Sequence, residues 1–336
     1  ELGLVGSEMC IRDRLTTVAL SDTTIDATAL AILIDSIDTI NGGSTTNMTL
    51  ASGATINVDA AEVASLLADE AAGRLTINNQ SIIVNGEIPA IFAVSLSDTT
   101  SGLVTATIEE KSLVDLAVLP PSNNAFTISI EDSAVDVIQL LSLDSATSLP
   151  INGSGIGLIE GDFSLLYHLY RGLGSEAFSG IDAANLEVTG DLDVTFANLL
   201  NDLTTGSIYG SITSEDIDTL KLLNGDNNSY SITISESDAT SSTAADLNAI
   251  NTLTTVAVNL TNVRALAASS LSDLGTLANA ITNNEFSNDT GLTTIAVSDT
   301  IIDATTLLST VDSYDTINGG STTNMTLASG ATINVD

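Results

Sequence analysis

The chain has 336 residues, 43% of them hydrophobic but only 3% aromatic, with no Trp and a single Cys. Its 43 acidic and 7 basic side chains give a formal net charge of −36. Nucleic-acid and anionic-membrane binding need clustered Lys and Arg and are excluded as classes. A transmembrane helix needs a run of about 18 apolar residues, and the sequence has none. The apolar content suffices for a buried core, and the few rings suit a thin core layered from Val, Ile, Leu and Ala. The acidity fits solubility in salt water, with calcium held by surface Asp as the sharper alternative.

Glu1–Arg14 differs in kind from the rest. It holds Cys10 and two of the Arg residues, and its VGSEMCIRDR run resembles a translated sequencing adapter. It is set aside as non-native. Without Cys10 no disulfide, thiol nucleophile or cysteine zinc site can form.

From Leu15 the pattern predicts a strand at Thr16–Leu20 and a capped helix over Asp22–Asp38, closed by the Gly42-Gly43 turn. Two short strands are expected in Ser44–Asp59 and a helix over Ala60–Ala72. Leu75–Leu96 reads as strand-rich, with Asn85-Gly86 as a hairpin-type turn. Regular coils follow at Leu103–Leu141, interrupted by a loop at Pro120-Pro121. From Ile108, apolar residues recur at Leu113, Leu116 and Leu119. From Ile130 they recur at Val135, Ile138 and Leu141, and from Ile212 at Ile217, Leu220 and Leu223. Each set reads as a strand exit, a polar cap and a short helix with one buried side.

An irregular segment occupies 149–184. It gathers Phe163, Tyr167, Tyr170 and Phe178 with His168, the sole His, and Arg171. The helical spacing of Phe163, Leu166, Tyr167 and Tyr170 favours rings plugging a wider core over a carbohydrate platform. Asn185–Leu200 resumes strand then helix. Strands are expected at Ser207–Thr213, Ser231–Ser235 and Thr254–Val258, where Ile208, Ile232 and Val256 are evenly spaced at intervals of 24. Asn262–Asn283 reads as helical.

Leu15–Asp59 returns as Leu292–Asp336 at a constant offset of 277, with 36 of 45 positions identical and the last 22 unchanged. The expected organisation is therefore one repeat solenoid over 15–336: a long unit 15–291, then a second copy from 292 that the record cuts at 336. The expected fold is an α/β solenoid, elongated and right-handed, of 22–24-residue strand-plus-short-helix coils with one parallel sheet. About 14 coils would make a rod of roughly 65–70 Å. An all-β parallel β-helix is the alternative.

The five bases outside the leader, Arg74, Lys111, Arg171, Lys221 and Arg264, are far apart in sequence, and no nucleophile elbow, phosphate loop or dinucleotide fingerprint occurs. No catalytic, cofactor-binding or metal-ligating residue is assigned. Calcium is the one cofactor left open, through Asp at strand exits: Asp22, Asp26, Asp59, Asp132, Asp238, Asp299 and Asp303.

Tyr230–Ile250, Leu253–Val258, Leu103–Ile108 and Gly172–Ala177 carry a further likeness. With them, most of 15–336 resembles the very long, low-complexity repeat proteins on the surface of marine cyanobacteria and related bacteria. That resemblance implies an extracellular, cell-surface protein, structural or adhesive rather than enzymatic. Its expected partners are other copies or parts of the same surface protein, and polysaccharide. A calcium-dependent carbohydrate- or surface-binding module is the alternative, and a polysaccharide-active solenoid enzyme the third reading.

Overall fold

The computed structural model describes residues 15–212, 216–225, 227–234, 241–261, 263–288 and 291–335. They form a mixed α/β fold of short helices and short strands, and every strand ladder among them is parallel. The adapter-like leader lies outside the described residues. Two compact units emerge: the described parts of Glu1–Asp132, Gln139–Gly155 and Ser175–Gly180, and those of Ser133–Ile138, Ile156–Gly174 and Ile181–Asp336.

In the first unit Thr24–Asp26, Thr55–Asp59, Ser81–Ile88, Val104–Ile108 and Ala125–Thr127 pair in sequence order. Helices Ala27–Ile40, Val63–Ala71, Ala90–Thr99 and Leu113–Leu116 carry the chain back between them. Parallel neighbours need such crossovers. A smaller sheet, Thr17–Ala19, Asn47–Thr49 and Leu75–Thr76, adds a second strand to the early coils. The second unit has its own five strands: Ala134–Asp136, Leu158–Gly161, Asn185–Leu192, Ile208–Ile212 and Ser229–Ile232. Helices Ala244–Asn251, Leu271–Thr282 and Ala304–Ile317 follow, with two-stranded pairs between them. The expected single sheet is thus several sheets.

Coil length also departs from the uniform spacing expected of the sequence. Thr24 faces Thr55 and Thr55 faces Ser81, both longer steps than expected. Ile82 then faces Val104, at the expected step, and Thr105 faces Ala125, a shorter one. What stays constant is the inward column, in which Ile25, Ile56, Ile82 and Val104 are all buried. Each such side chain contributes about 1.5–3 kcal/mol on burial, so the column fixes the register while the connections vary. The even series Ile208, Ile232 and Val256 is not a column. Ile232 lies opposite Ile212, and Thr233 bridges to Asn259, which sets Ile232 beside Val258; Val256 is 41% exposed.

Other expectations shift for physical reasons. Asn85-Gly86 makes no hairpin. It sits inside the strand Ser81–Ile88 at a bulge, with Gly86 at φ +100, a conformation that glycine adopts without strain. The strand-rich reading fails beyond Ile88, because Ala90–Thr99 is a helix burying Ala90, Ala93 and Leu96. After Ile130, Val135 lies in the strand Ala134–Asp136, and the helix Val137–Asp144 buries Val137, Leu140 and Leu143, leaving Ile138 57% exposed. After Asn262, which lies outside the described residues, Ala265 and Ser269 bridge to Thr294 and Val297, so the helix begins only at Leu271.

Side-chain hydrogen bonds tie each coil to its neighbour. The Thr100 hydroxyl donates to Gln80 O at 2.6 Å and accepts from Gly102 N at 2.9 Å. Thr204 does the same with Ala184 O (2.7 Å) and Gly206 N (2.9 Å), Thr147 with Phe126 O (2.8 Å) and Leu149 N (3.1 Å), and Thr254 with Tyr230 O (2.8 Å) and Val256 N (3.2 Å). A hydroxyl can donate and accept at one atom. Thr254 is therefore a staple and not part of a strand.

These contacts reveal a second repeat, at an offset of 104, with one member in each unit. Ile82, Val104, Thr100 and Asn124 in the first correspond to Leu186, Ile208, Thr204 and Asn228 in the second. Asn124 Oδ1 accepts from Val104 N at 2.9 Å, and Asn228 Oδ1 accepts from Ile208 N at 2.8 Å. The bulge recurs too, with Gly190 at φ +88. The two copies of the longer repeat also share one register: Val18 faces Met48 and Ile295 faces Met325, while Ile25 faces Ile56 and Ile302 faces Ile333.

Two substitutions test this bonding. Thr204→Val leaves the Ala184 carbonyl and Gly206 amide unpaired, and is expected to cost about 1–3 kcal/mol in urea unfolding, with Thr204→Ser close to the parent. Tyr230 is fully buried, its hydroxyl has no partner among the described residues, and its counterpart in the other member of this repeat is Phe126. Tyr230→Phe is therefore expected to leave the urea midpoint unchanged or raise it; a clear drop would reveal a bond to that hydroxyl.

Candidate functional site

The strand Leu158–Gly161 leads into the aromatic segment. A Cβ on Gly161 would lie 2.3 Å from Val137 Cγ1, so glycine lets the chain pass close there. Asp162 caps the helix Phe163–Tyr167, accepting from Ser164 N at 2.8 Å and Leu165 N at 3.1 Å. The Ser164 hydroxyl, with these amides, holds the Asp162 carboxyl below its ordinary range. The helix widens into a π turn over His168–Leu173 and ends at Gly174, φ +65. His168 and Arg171 are exposed on this turn, and neither forms an ion pair with a described residue.

The four rings do not form one patch. Phe178 is fully buried in its strand pair with Ile151. Tyr170 donates to Ile181 O at 2.9 Å, and burial pushes its phenol well above the usual range. These two serve the core, Tyr170 as the helical spacing implies and Phe178 through its strand. Phe163 instead stacks on Phe196, with centroids 4.1 Å apart and planes 14° from parallel, and Tyr167 tilts against Phe163 at 5.6 Å. Phe196 is 40% exposed, which leaves a half-open apolar stack on neighbouring helices. Sequence reasoning did not single out Phe196; the signal was Asp193, just before it, which caps its helix at Phe196 N (2.7 Å).

Three of the five bases outside the leader are used in ion pairs. Arg74 Nε meets Asp38 at 3.0 Å and Nη1 meets Asp69 at 2.9 Å, while Nη2 pairs with Asp35. Burial, reinforced by Asp35 and Asp38, pushes the Asp69 carboxyl up despite the attraction of Arg74. A cleft of about 140 Å³ between the helices Ala27–Ile40 and Val63–Ala71 opens beside this group, lined by Leu30, Ile34, Leu66 and Asp35 among others. Lys221 meets Asp246 at 2.7 Å and Asp218 at 2.9 Å, and Lys111 lies 3.8 Å from Glu87. Arg264 is exposed, and its carbonyl accepts from Thr293 N at 3.1 Å.

The Asp residues at strand exits are mostly helix caps. Asp26 accepts from Ala29 N (2.9 Å) and Asp303 from Thr306 N (2.7 Å). Asp132 and Asp299 each reach the preceding coil, accepting from Leu113 N and Leu271 N, both at 2.7 Å. Glu110 does likewise for Ala90 N at 2.7 Å, where the cap position is Pro89. Asp59 accepts from Asn85 Nδ2 at 3.2 Å, Asp22 is exposed, and Asp238 lies outside the described residues. Among the described residues, no three His, Cys, Asp or Glu side chains converge as a metal-holding group. No described helix is long and apolar enough to cross a membrane.

No protein family, curated protein or solved structure matches the chain.

The Lys221–Asp246 contact yields a pH prediction. The Lys221 hydrogen bond, above all, lowers the Asp246 carboxyl, so its stabilisation is full above about pH 4 and is lost as pH falls through the lowered value. Lys221 is raised, first by Asp246, so its share persists up to its ordinary range and is lost as pH rises through the raised value. Asp246→Ala also breaks the capping box with Thr243. It should cost about 1 kcal/mol at pH 7, and the gap to the parent in urea melts should shrink as pH falls below about 4.

Proposed function

We propose that the chain is a structural segment of a larger secreted, cell-surface repeat protein: one solenoid of stacked coils that spaces or attaches its neighbours and catalyses nothing. The observation that carries this reading is the recurrence of Leu15–Asp59 as Leu292–Asp336, with the same strand register and side-chain bonds in both places. Asp38 Oδ1 accepts from Thr46 N at 2.9 Å, and Asp315 Oδ1 accepts from Thr323 N at 2.6 Å. Asn41 Nδ2 donates to Leu15 O at 2.9 Å, and Asn318 Nδ2 to Leu292 O at 2.7 Å. A segment that reproduces its own geometry in tandem suits a protein whose function is length.

The chemistry of the side chains supports the same reading. Arg74 and Lys221 are neutralised within the fold, Tyr170 is bonded to a backbone carbonyl, and most strand-exit carboxylates close helix ends. The net charge is strongly acidic, which keeps a crowded surface coat hydrated and apart by self-repulsion. Its partners in this reading are other copies or parts of the same protein, with polysaccharide at the lateral surface.

Small-angle scattering on two lengths of chain tests the architecture. One is Leu15–Asp336; the other continues Asp336 directly into a further Ala60–Asp336. A rod nearly doubles its radius of gyration, whereas a compact globule grows only about 1.3-fold. Growth near the lower figure would sink the solenoid reading.

A further inference from the structure

We propose that the half-open ring stack of Phe163, Tyr167 and Phe196, with Arg171 at its end, binds the uronic-acid units of an acidic polysaccharide. This rests on the surface-coat reading, in which polysaccharide meets the lateral face, and it names that polysaccharide's chemistry.

The stack lies at mid-chain, where neighbouring coils are present. The helix Val194–Asn201 meets the helix Phe163–Tyr167 on one side, ring against ring. On the other side Asn198 Nδ2 donates to Leu222 O at 2.7 Å, and Asn198 Oδ1 accepts from Asn224 N at 2.7 Å. Phe196 nonetheless stays 40% exposed, and Leu199, one turn on, 37%. Their exposure is lateral, because neither described neighbour covers them.

The apolar face continues along the first helix and ends in a cation. Phe163, Tyr167 and Arg171 follow at intervals of four, the spacing that keeps side chains on one face. Tyr167 tilts against Phe163 at 5.6 Å, and the π turn His168–Leu173 carries Arg171 just beyond. Such turns recur at functional sites. His168 folds over the same turn: a Cβ on Gly172 would lie 2.2 Å from its Nδ1. Arg171 and His168 are exposed, and neither has an acidic partner among the described residues, although the chain carries 43 acids. Asp162 and Asp193, at the far end, are engaged as helix caps.

The two halves of this strip ask for two chemistries in one ligand. An open stack takes a flat apolar face, and a pyranose offers one in the C–H bonds that meet the electron-rich face of an aromatic ring. A free guanidinium takes a planar carboxylate through two parallel hydrogen bonds. A neutral sugar would leave Arg171 unused, and a small anion would leave the rings unused. Side chains four apart on this face are separated by about 5–6 Å, so one sugar on the rings brings the next carboxylate to Arg171. The net charge of −36 repels a polyanion at long range, but salt screens it beyond about 8 Å, so contact chemistry decides.

Calorimetric titration of the full chain with trigalacturonate, in about 0.15 M salt with EDTA, tests this. Saturable binding is expected. Arg171→Gln should weaken it about tenfold, the cost of one charge-assisted contact. Phe196→Leu, which keeps an apolar side chain but removes the ring, should weaken it about threefold. Arg264→Gln removes the same charge from another exposed position and should leave binding unchanged. The neutral galactose trimer should bind more weakly than trigalacturonate, and Arg171→Gln should not weaken it further. Absent binding, indifference to Phe196→Leu, or equal losses from Arg171→Gln and Arg264→Gln would overturn the proposal. So would binding that appears only when calcium replaces EDTA, since the ligand would then sit on carboxylates. Urea midpoints separate a lost site from a lost fold, and Arg171→Gln, at an exposed residue without an ion pair, keeps the test open should Phe196→Leu not fold. A compact globule in scattering would sink the solenoid reading even with trigalacturonate bound; trigalacturonate left unbound would sink this proposal even on a rod.

Discussion

Short helices between parallel strands leave backbone amides that no single coil can satisfy, and the rest of this structure depends on how they are met. The first turn of each helix exposes up to four N–H groups. The local cap takes one: Ser112 accepts from Asp115 N and Ser270 from Asp273 N. The next coil takes another: Asp132 accepts from Leu113 N, Asp299 from Leu271 N and Ser269 from Ala244 N. At the opposite corner the threonine staples bond back to the coil before. A satisfied hydrogen bond adds only about 1 kcal/mol net, whereas a buried orphan costs about 1–3. The asymmetry makes each coil incomplete without its neighbour, as nearest-neighbour stability in repeat proteins requires.

The same constraint accounts for much of the charge. A carboxylate at a helix N-terminus accepts hydrogen bonds and meets the positive end of the helix dipole, worth about 0.3–1 kcal/mol when exposed. Asp26, Asp162, Asp193, Asp216 and Asp303 fill such positions for their own helices, and Glu110, Asp132 and Asp299 for the helix before. Corresponding demand for cations is small, because the helices are short and their last turns are closed by backbone bonds. Two of the cations lie where acids from different coils converge. Arg74 gathers Asp35, Asp38 and Asp69, and Lys221 joins Asp218 to Asp246.

Element type was legible in the sequence wherever hydrophobic spacing and cap chemistry agreed. Ile108 with Leu113, Leu116 and Leu119, and Ile212 with Ile217, Leu220 and Leu223, are buried as that spacing implies. The two sets are offset by 104, the shift of the hidden repeat. It stayed hidden because its positions share character rather than identity: Ile82 against Leu186, Ser112 against Asp216, Phe126 against Tyr230. Register was not legible. Ile208, Ile232 and Val256 repeat evenly, but side-chain partners are chosen by paired strands, and coil length varies freely in the loops. The Ile130 coil misled for a related reason: Val135 fits a helix and a strand equally well, and pairing with Ile159 decided for the strand. At the aromatic segment, spacing predicted the inward role of Tyr170, but Phe178 is buried by strand pairing outside that spacing, and the Phe163–Phe196 stack joins two coils and has no signature within either.

The nine differences between the two copies of the longer repeat are not scattered. Six fall on the helix, where Ala29, Ala31, Ile32, Leu33, Ile34 and Ile37 become Thr306, Leu308, Ser309, Thr310, Val311 and Tyr314; three fall at Val18, Leu20 and Thr24. Several of these positions meet what precedes the copy. Tyr314 is fully buried and donates to Leu274 O at 3.0 Å in the helix before, and Val297 bridges back to Ser269. The unchanged stretch Asp38–Asp59 includes nearly all the residues that, in the first copy, hold Gly73–Asn85. A face meeting different predecessors accumulates substitutions that fit each one. The unchanged stretch meets one coil in the first copy, the one beginning at Ala60, and a substitution within it would break bonds such as those of Asn47 and Gly53 to that coil.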